Sequence, residues 1–211
     1  ADTFSAALDW HSGDGSRQLR VTPFYTRVDD YIDAVARPGF VTERFNVLGY
    51  ENQSARRYGI DVSARMTIAQ TGAGELGIEA IVNYTDGENR DSGDDLYNIM
   101  PLNARLALTQ RLGGWDNSIE VLIVDGKDDV SDVRNEIPTA SYELLNLNAS
   151  YSWSRLRVDL AIENVFDEFY SMPLGGAYTG QGMTMSMNGI PWGIAVPGMG
   201  RSLNAGITLK F

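Results

Sequence analysis

The 211-residue sequence contains no cysteine and no long apolar run, and it has few basic residues and a single histidine. The lack of cysteine excludes a disulfide scaffold, thiolate metal ligation, iron–sulfur ligation and a cysteine nucleophile. No apolar run reaches the roughly 18–20 residues that a transmembrane helix needs. The net charge of −11 would repel a phosphate backbone, so nucleic acid is not an expected partner.

The only histidine, His11, lies beside Trp10 near a predicted tight turn. A lone imidazole at such a place is most simply a surface residue, and no serine, histidine and aspartate set can be built around it. The sequence therefore predicts no catalytic residue and no cofactor, and the protein is not expected to be an enzyme.

The positive signal is an alternation of apolar and polar residues with period two, which is typical of β-strands with one apolar face. No segment with a helical period competes with it. The pattern predicts about nine strands, although 117–124 is ambiguous because Leu122 and Val124 interrupt its polar face. The predicted strands lie near 2–11, 17–34, 44–68, 75–88, 101–112, 116–125, 142–152, 155–164 and 200–211.

The predicted connections are alternately short and long, as in an up-and-down membrane barrel. In the strands of a soluble β-sandwich apolar and polar residues also alternate. The composition of the two faces therefore has to distinguish a sandwich from a membrane barrel. The polar face carries arginine, aspartate, glutamate and asparagine in the middle of long strands, and the apolar face is aliphatic. Aromatic residues lie near the strand ends: Trp10, Tyr84, Tyr151, Trp153 and Phe211. Lipid outside and water inside fit this pattern, so we expect an all-β, transmembrane antiparallel β-barrel.

The odd number of predicted strands has a consequence for closure. Bacterial single-chain barrels have an even number of strands with both termini in the periplasm. An open barrel leaves two edges of unpaired backbone groups in hydrocarbon, which is costly. We therefore expect this chain to be one part of a barrel that another polypeptide completes.

Several segments resemble TonB-dependent outer-membrane receptors. The segment Glu163-Asn164-Val165-Phe166-Asp167 resembles a motif before the last loop of that family, and Gly200-Arg201-Ser202 with the terminal Phe211 resembles its last strand. Further upstream, Arg56-Arg57-Tyr58-Gly59-Ile60-Asp61-Val62 is similar to another strand of the family. Together these likenesses extend over essentially the whole chain.

The resemblance implies that residues 1–211 form the C-terminal part of a barrel of about 22 strands. The plug domain and the TonB box of the family are not in this chain. The implied partners are the N-terminal part of the same receptor, TonB through that part, lipid and lipopolysaccharide, and a metal or metal-chelate ligand. The implied location is the outer membrane of a Gram-negative bacterium, which the chain crosses several times.

The terminal strand also resembles the outer-membrane assembly signal, in which apolar residues alternate before a C-terminal aromatic. Here these residues are Ile207, Leu209 and Phe211. An edge strand with an apolar stripe can be paired by the assembly machinery through β-augmentation. Phe211 could equally be an interfacial aromatic, and both roles are compatible.

The last long loop, 165–199, is rich in methionine and glycine. Met183, Met185 and Met187 place three thioethers at alternate positions, and soft sulfur ligands favour Cu(I). Some receptors of the family are copper receptors, and Pro173-Leu174-Gly175-Gly176 resembles that subgroup. Methionine also serves as a flexible filler of packed loops, which is the structural alternative.

Charged residues in the other predicted loops and on the polar face have less specific meanings. Acidic clusters could hold Ca²⁺, but their spacing does not match an EF-hand, and solvated loop charge is the simpler interpretation. These residues are Asp86, Glu88, Asp91, Asp94, Asp95, Asp125, Asp128, Asp129 and Asp132. Charges on the polar face would contact water or a plug: Arg65, Arg105, Arg111, Arg155, Arg157, Asp61, Asp159 and Glu163.

Four candidate functions follow from these observations. The first is TonB-dependent uptake of a metal or metal chelate, such as a ferric siderophore. A copper-specific receptor with a methionine-rich loop is an alternative within the same class. An outer-membrane barrel enzyme and a soluble β-sandwich binding module are alternatives of different classes.

Overall fold

The computed structural model describes residues 1–37, 47–178 and 193–211. These residues form ten β-strands, and all of the strands belong to one antiparallel sheet. The strands are β1 (Asp2–Ser5), β2 (Leu8–His11), β3 (Arg17–Ala36), β4 (Leu48–Thr71), β5 (Gly74–Asn89), β6 (Asn103–Leu112), β7 (Trp115–Val124), β8 (Tyr142–Ser152), β9 (Leu156–Glu163) and β10 (Ser202–Leu209). No helix in these residues is long and apolar enough to span a bilayer.

The predicted strands are confirmed, with one division at the start. The first predicted strand is two short strands, β1 and β2, which both pair with β3 in one continuous register. The break lies opposite Pro23, where the Ala6 N–H donates to the Pro23 carbonyl at 3.3 Å. Proline has no N–H to return that hydrogen bond, so the ladder is interrupted at this point. The ambiguous segment 117–124 lies in β7, and the predicted residues 44–46 fall outside the described part of β4.

The sheet is a meander in which each strand pairs with its sequence neighbour from β3 to β10. Within the described residues, β10 pairs only with β9, and the first strands pair only with β3. The sheet therefore has two free edges, and no second sheet of the described residues covers either face. The soluble sandwich, with two packed layers, is not the fold of this chain.

The two faces of the sheet differ as the alternation predicts. Cross-strand neighbours on one face are aliphatic, for example Ala80 opposite Leu106 and Leu106 opposite Val121. We call this the apolar face. Its large side chains are exposed, with Leu106 at 42% and Ile207 at 73%. The opposite face carries the paired charges described below, and we call it the polar face.

The two ends of the sheet differ as strongly as the two faces. At one end, the turn end, the connections 12–16, 72–73, 113–114 and 153–155 are short. In the two-residue turn at 113–114, Gly113 has a φ of 58°, which a glycine adopts without strain. At the other end, the loop end, lie the connections 37–47, 90–102, 125–141 and 164–201. Of the first connection the structure describes residues 37 and 47, and of the last it describes 164–178 and 193–201.

Candidate functional site

The polar face carries arginines that are matched by carboxylates of neighbouring strands. Arg65 Nε lies 3.0 Å from Glu79 Oε1, and Arg105 Nε lies 3.4 Å from Glu120 Oε2. Arg111 approaches carboxylates of both adjacent strands at 3.7–3.8 Å. The arginine side chains are about half exposed, so the pairs contribute little to stability. The charge of this face is largely balanced within the wall itself.

The same face continues towards its ends with further polar contacts. Arg157 Nε donates to Asp159 Oδ1 at 2.7 Å, and Asn83 donates to Asp61 Oδ1 at 2.7 Å. Arg155, which we predicted on this face, lies in the turn before β9. His11 ends β2 and is exposed, as predicted for a surface residue.

At the loop end, the arms of β3 and β4 extend well beyond the roughly 9–11 tilted residues that cross a bilayer, since β3 has 20 residues and β4 has 24. A register shift between Val28 and Tyr31 turns Asp33 to the polar face, opposite Glu51. There the Asp33 carboxylate accepts hydrogen bonds from Asn89 Nδ2 at 2.9 Å and from Arg134 Nη2 at 3.0 Å. Asn89 is 1% exposed and also donates to the side chain of Gln53.

The pKa of Asp33 reflects these contacts. Burial acts to raise the pKa, and the hydrogen bonds from Asn89, the Ala34 backbone and Arg134 outweigh it, so that the pKa lies below the ordinary value of 3.8. The Arg134 guanidinium also lies over two tyrosine rings, 5.7 Å from the Tyr50 centroid and 5.1 Å from the Tyr97 centroid. Arg134, in loop 125–141, therefore contacts one residue each of β3, β4 and loop 90–102.

A buried ion pair within loop 125–141 binds loop 90–102 through hydrogen bonds from both of its partners. Lys127 Nζ lies 2.9 Å from Glu136 Oε1 and donates to the Ile99 carbonyl at 2.6 Å. The two side chains are 1% and 8% exposed. Glu136 also accepts hydrogen bonds from the backbone N–H groups of Asn98 and Ser131, each at 3.0 Å. Both charges are therefore paired and hydrogen-bonded, as buried charges need to be.

The acidic clusters of the sequence have structural partners in these loops. Asp94 accepts hydrogen bonds from Ser131 Oγ at 2.7 Å and from the Asp132 N–H at 2.9 Å, and Asp91 accepts one from the Ser54 N–H at 2.7 Å. Burial, followed by the charges of nearby carboxylates, raises the pKa of Asp95. No group of three or more histidine, aspartate or glutamate side chains in the described residues is placed to hold a metal ion.

The family-like segment after β9 closes the last long loop. Asn164 has a φ of 50° and is 3% exposed. Its side chain accepts from the Glu168 N–H at 2.8 Å and donates to the carbonyls of Glu168 at 2.9 Å and Met199 at 3.2 Å. Asp167 Oδ1 accepts from the Arg201 N–H at 2.8 Å. The segment therefore joins the two ends of the loop.

The other residues of that segment have different positions. Glu163 is the last residue of β9 and pairs with Ser202, while Phe166 is 74% exposed. The loop packs further through Tyr170, whose ring stacks on Tyr142 with centroids 4.4 Å apart. A Cβ on Gly198 would overlap the Tyr170 ring, so a larger residue at this position would require the ring to move.

The predicted copper ligands Met183, Met185 and Met187 lie outside the described residues, which omit 179–192. The two flanks of that segment meet: the Tyr178 N–H donates to the Ile194 carbonyl at 2.9 Å, and the Gly193 N–H donates to the Tyr178 carbonyl at 2.8 Å. Two other methionines of the loop, Met172 and Met199, are 40% and 65% exposed.

The proposed assembly residues lie along the free edge. Ile207 and Leu209 pair with Val158 and Leu156 on the apolar face, and Phe211 follows the end of β10, fully exposed. Aromatic residues also cluster at the turn end, where the Tyr151 ring meets Trp115 at 4.9 Å and Trp153 at 4.4 Å. Such amphipathic rings suit a membrane–water boundary.

Sequence reasoning missed the residues that organise the loop end: Asp33, Asn89, Lys127, Arg134 and Glu136. One signal was available, since Lys127 is one of only two lysines in the chain and lies in the acidic segment 125–132. A lone lysine among carboxylates is a good candidate for a paired charge. The Asp33–Arg134 contact spans 101 residues and leaves no local pattern.

A single antiparallel meander, with an uncovered apolar face, a charged face and alternating short and long connections, defines the wall of a membrane-type β-barrel. Residues 1–165 match the family model described as "TonB dependent receptor-like, beta-barrel". The chain therefore belongs to the TonB-dependent receptor family, whose members are outer-membrane transport proteins of Gram-negative bacteria.

Solved structures show the same fold. The chain is similar to a structure titled "Copper transporter OprC", with a TM-score of 0.82 and 21% identity over 99% of this chain and 32% of that one. It is also similar to the ferric yersiniabactin uptake receptor FyuA from Yersinia pestis, with a TM-score of 0.67 and 15% identity over 99% of this chain and 29% of that one. A third is the ferripyoverdine receptor of the outer membrane of Pseudomonas aeruginosa, with a TM-score of 0.63 and 16% identity over 99% of this chain and 27% of that one.

At these identities the likeness establishes the fold. The chain spans about a third of the length of the first of these structures. A comparison with curated protein sequences finds no match.

Proposed function

We propose that residues 1–211 form the C-terminal part of the barrel wall of a TonB-dependent receptor in the outer membrane of a Gram-negative bacterium. In this proposal another part of the receptor supplies the remaining strands, the plug domain and the TonB box. The free edges of β1 and β10 are the observation that favours such a completion, because unpaired backbone groups are costly in hydrocarbon. The apolar face contacts lipid, and its outer margin contacts lipopolysaccharide.

We further propose that the assembled receptor takes up a metal or a metal chelate in an energy-dependent, TonB-coupled step. The membership of the chain in the receptor family carries this proposal. Two of the similar structures are receptors for ferric chelates by their titles, which supports a ferric siderophore as the substrate class. The chain itself has a wall role and no catalytic role in this scheme.

A copper-specific receptor is the second candidate. A structure titled as a copper transporter has the higher TM-score, 0.82 against 0.67 for the ferric yersiniabactin receptor. In addition, the flanks at Tyr178 and Gly193 are joined, which brings the ends of the segment with Met183, Met185 and Met187 together. Thioethers are soft ligands that suit Cu(I).

Uptake by the intact receptor tests both candidates. Cells that carry the complete gene are supplied with copper or with ferric siderophores, with and without functional TonB. We expect one of them to accumulate only in cells with functional TonB. Equal accumulation with and without functional TonB contradicts the proposal. Substituting Met183, Met185 and Met187 by leucine distinguishes the candidates, since copper uptake is lost only if the thioethers bind the metal. Met66→Leu, on β4, is the matched control.

The assembly role of Ile207, Leu209 and Phe211 is a separate proposal. Phe211→Ala is expected to lower the amount of heat-modifiable receptor in the outer membrane without changing the uptake per assembled receptor. Phe166→Ala is the control, because Phe166 is also an exposed aromatic but lies at the loop end. Equal assembly of the two variants contradicts the assignment of Phe211.

A further inference from the structure

The apolar face has a groove near its loop-end margin. Val82, Ala104 and Ile123 are cross-strand neighbours on β5, β6 and β7, and they form the floor of this groove. Leu102 and Leu106 lie two residues to either side of Ala104, so they project from the same face. A small side chain among larger neighbours leaves a groove of about 710 Å³. This volume lies within the roughly 300–1,000 Å³ that is usual for small-molecule sites.

Three carboxylates border the groove. Glu143 is the register partner of Ile123, so it projects from the apolar face in the same row. Asp125 lies two residues beyond Ile123, directly after β7, and Glu168 belongs to the loop after β9. All three carboxylates line the groove and are exposed. An apolar floor and an acidic border therefore meet in one depression of the apolar face.

The position of Glu143 along β8 places the border relative to a bilayer. Tyr151, in the aromatic cluster at the turn end, lies eight residues from Glu143 on this strand. At roughly 3.3 Å per residue and a tilt of about 40°, the two residues are about 20 Å apart along the membrane normal, within an apolar band of about 25 Å. The long loops of such barrels are extracellular. Glu143 therefore lies where the head groups and acyl chains of the outer leaflet meet.

These carboxylates differ from those of the polar face in their surroundings. On the polar face, Glu79 Oε1 lies 3.0 Å from Arg65 Nε. Within residues 1–37, 47–178 and 193–211, no arginine or lysine forms an ion pair with Asp125, Glu143 or Glu168. The described part of the chain therefore leaves this negative charge unbalanced beside the lipid, where a cationic group would be attracted at close range.

We propose that the groove binds an outer-leaflet lipid that carries a primary ammonium group, with an acyl chain over Ala104 and the ammonium beside Glu143. The floor is continuous with the apolar face, so an acyl chain is its natural neighbour. The border selects the head group, because an ammonium donates charge-assisted hydrogen bonds to a carboxylate, whereas a head group with phosphate alone is repelled. This inference rests on the proposed function, since it needs the wall to lie in the outer membrane, and it assigns one class of lipid to a defined site.

Head-group selection is tested on the complete receptor in detergent. The receptor is equilibrated with phosphatidylethanolamine and phosphatidylglycerol of identical acyl chains, and the retained lipids are measured by native mass spectrometry. We expect the parent to retain phosphatidylethanolamine about fivefold better than phosphatidylglycerol, and Glu143→Gln to lower this preference about threefold, as one partly exposed ion pair would. The matched control is Glu79→Gln, which removes a paired carboxylate of the polar face and should leave the preference unchanged. Equal retention of the two lipids by the parent, or an equal decrease in both variants, overturns the proposal.

The acyl-chain part is tested by filling the groove. Ala104→Leu adds an apolar side chain to the floor and is expected to lower the retained phosphatidylethanolamine about fivefold. Ala64→Leu is the matched control, because Ala64 lies on the apolar face of β4, opposite Ala80 and outside the groove. The same retention by the two variants overturns the proposal. Heat-modifiable mobility establishes that each variant is folded, and Glu143→Gln, which adds no volume, keeps the test decisive if Ala104→Leu does not assemble.

A divalent cation between the carboxylates and a lipid phosphate is the competing arrangement, because Mg²⁺ binds one or two carboxylates together with phosphates. The measurement is therefore repeated with Mg²⁺ and with EDTA. An ammonium lipid is expected to be retained equally in both. Retention that requires Mg²⁺ and does not distinguish the two head groups overturns the ammonium site.

The lipid site and the transport proposal can fail separately. A receptor that takes up metal in a TonB-dependent step but shows no preference for phosphatidylethanolamine overturns the lipid site alone. A receptor that takes up no metal, but whose preference is lost in Glu143→Gln and kept in Glu79→Gln, retains the lipid site and overturns the transport proposal.

Discussion

The membrane-spanning part of the wall and its loop end are stabilised in opposite ways. In the wall, the apolar side chains are exposed on one face, and the arginines in the ion pairs of the other face are about half exposed. At the loop end, polar side chains such as Asn89 and Lys127 are buried and hydrogen-bonded. The buried apolar residues of the described chain lie at or towards this end as well: Ala34, Ala55, Leu96, Val124 and Leu144.

This difference follows from the solvent that each part meets. The wall needs no protein core, because lipid covers the apolar face and the strand ladder satisfies the backbone. The loop end stands in water and lacks a second apolar layer, so it must hold its shape with hydrogen-bonded side chains. We therefore expect substitutions of charged residues to be costly at the loop end and almost neutral on the wall.

The largest expected effect comes from the buried pair of loop 125–141. Lys127→Met leaves the Glu136 carboxylate buried without its cation, which should cost about 3–5 kcal/mol of local stability. Hydrogen exchange in the intact receptor is the measurement, read at the Asn98 and Ser131 amides that donate to Glu136. Arg65→Met removes a half-exposed partner of Glu79 on the wall and should cost no more than about 1 kcal/mol. Similar costs at the two sites would contradict the contrast between the two regions.

The orientation of the wall is tested by two neighbouring residues of β6. Leu106→Arg places a charge in the middle of the apolar face and should cost about 2–4 kcal/mol in a bilayer. Ala107→Arg lies on the polar face, opposite Glu79 and Glu120, and should be nearly neutral. Folded receptor in lipid vesicles is measured during denaturant titration. If Ala107→Arg lost more stability than Leu106→Arg, the apolar and polar faces would be assigned the wrong way round.

The strands were predictable because a barrel wall repeats one simple rule. Successive side chains of β6 and β9 face lipid and water in turn. The two-residue period is therefore strict and appears directly in the sequence. Pro23 shows where the rule fails. As an apolar residue it fits the alternation, but its missing N–H divides the first strand into β1 and β2, and this depends on which residue lies opposite.

The loop end could not be predicted in the same way. The contact of Asp33 with Arg134 depends on how loop 125–141 folds against β3, and the bonds of Lys127 to Ile99 and of Asn98 to Glu136 depend on how this loop meets loop 90–102. No period encodes either arrangement. The family-like motif was recognisable, but its physical role was not. The positive φ of Asn164 and its bonds to Glu168 and Met199 become visible only when the two ends of the loop are brought together.

A smaller effect is expected for two glycines in the strands of the polar face. A Cβ on Gly59 would overlap the Tyr84 carbonyl and lie 2.7 Å from Phe24 Cζ, whereas one on Gly206 would lie 3.7 Å from its nearest neighbour, Asp159 Cβ. Gly59→Ala should therefore destabilise the receptor by about 1–3 kcal/mol. Gly206→Ala should be tolerated, since its methyl group meets only ordinary contacts. Denaturant titration of both variants in detergent measures this difference in stability. An equal midpoint for the two variants would show that the wall accommodates the added methyl group at Gly59.

The smallest expected effect lies in the turn at 12–16. Hydrogen bonds from the Ser12 hydroxyl and then from the Ser16 backbone and hydroxyl lower the pKa of Asp14 from 3.8 to about 2, although this carboxylate is exposed. Because the folded pKa is lowered, the contribution of Asp14 is fully present above pH 3.8 and is lost as the pH falls through about 2. Asp14→Asn removes this pH dependence and retains a carbonyl that can accept the same bonds. The stability difference between parent and variant should be constant above pH 3.8 and change only below it. A difference that stays constant down to about pH 2 would mean that the serines do not hold the ionised form. The turn end, unlike the loop end, would then lack an organised polar contact even at its tightest turn.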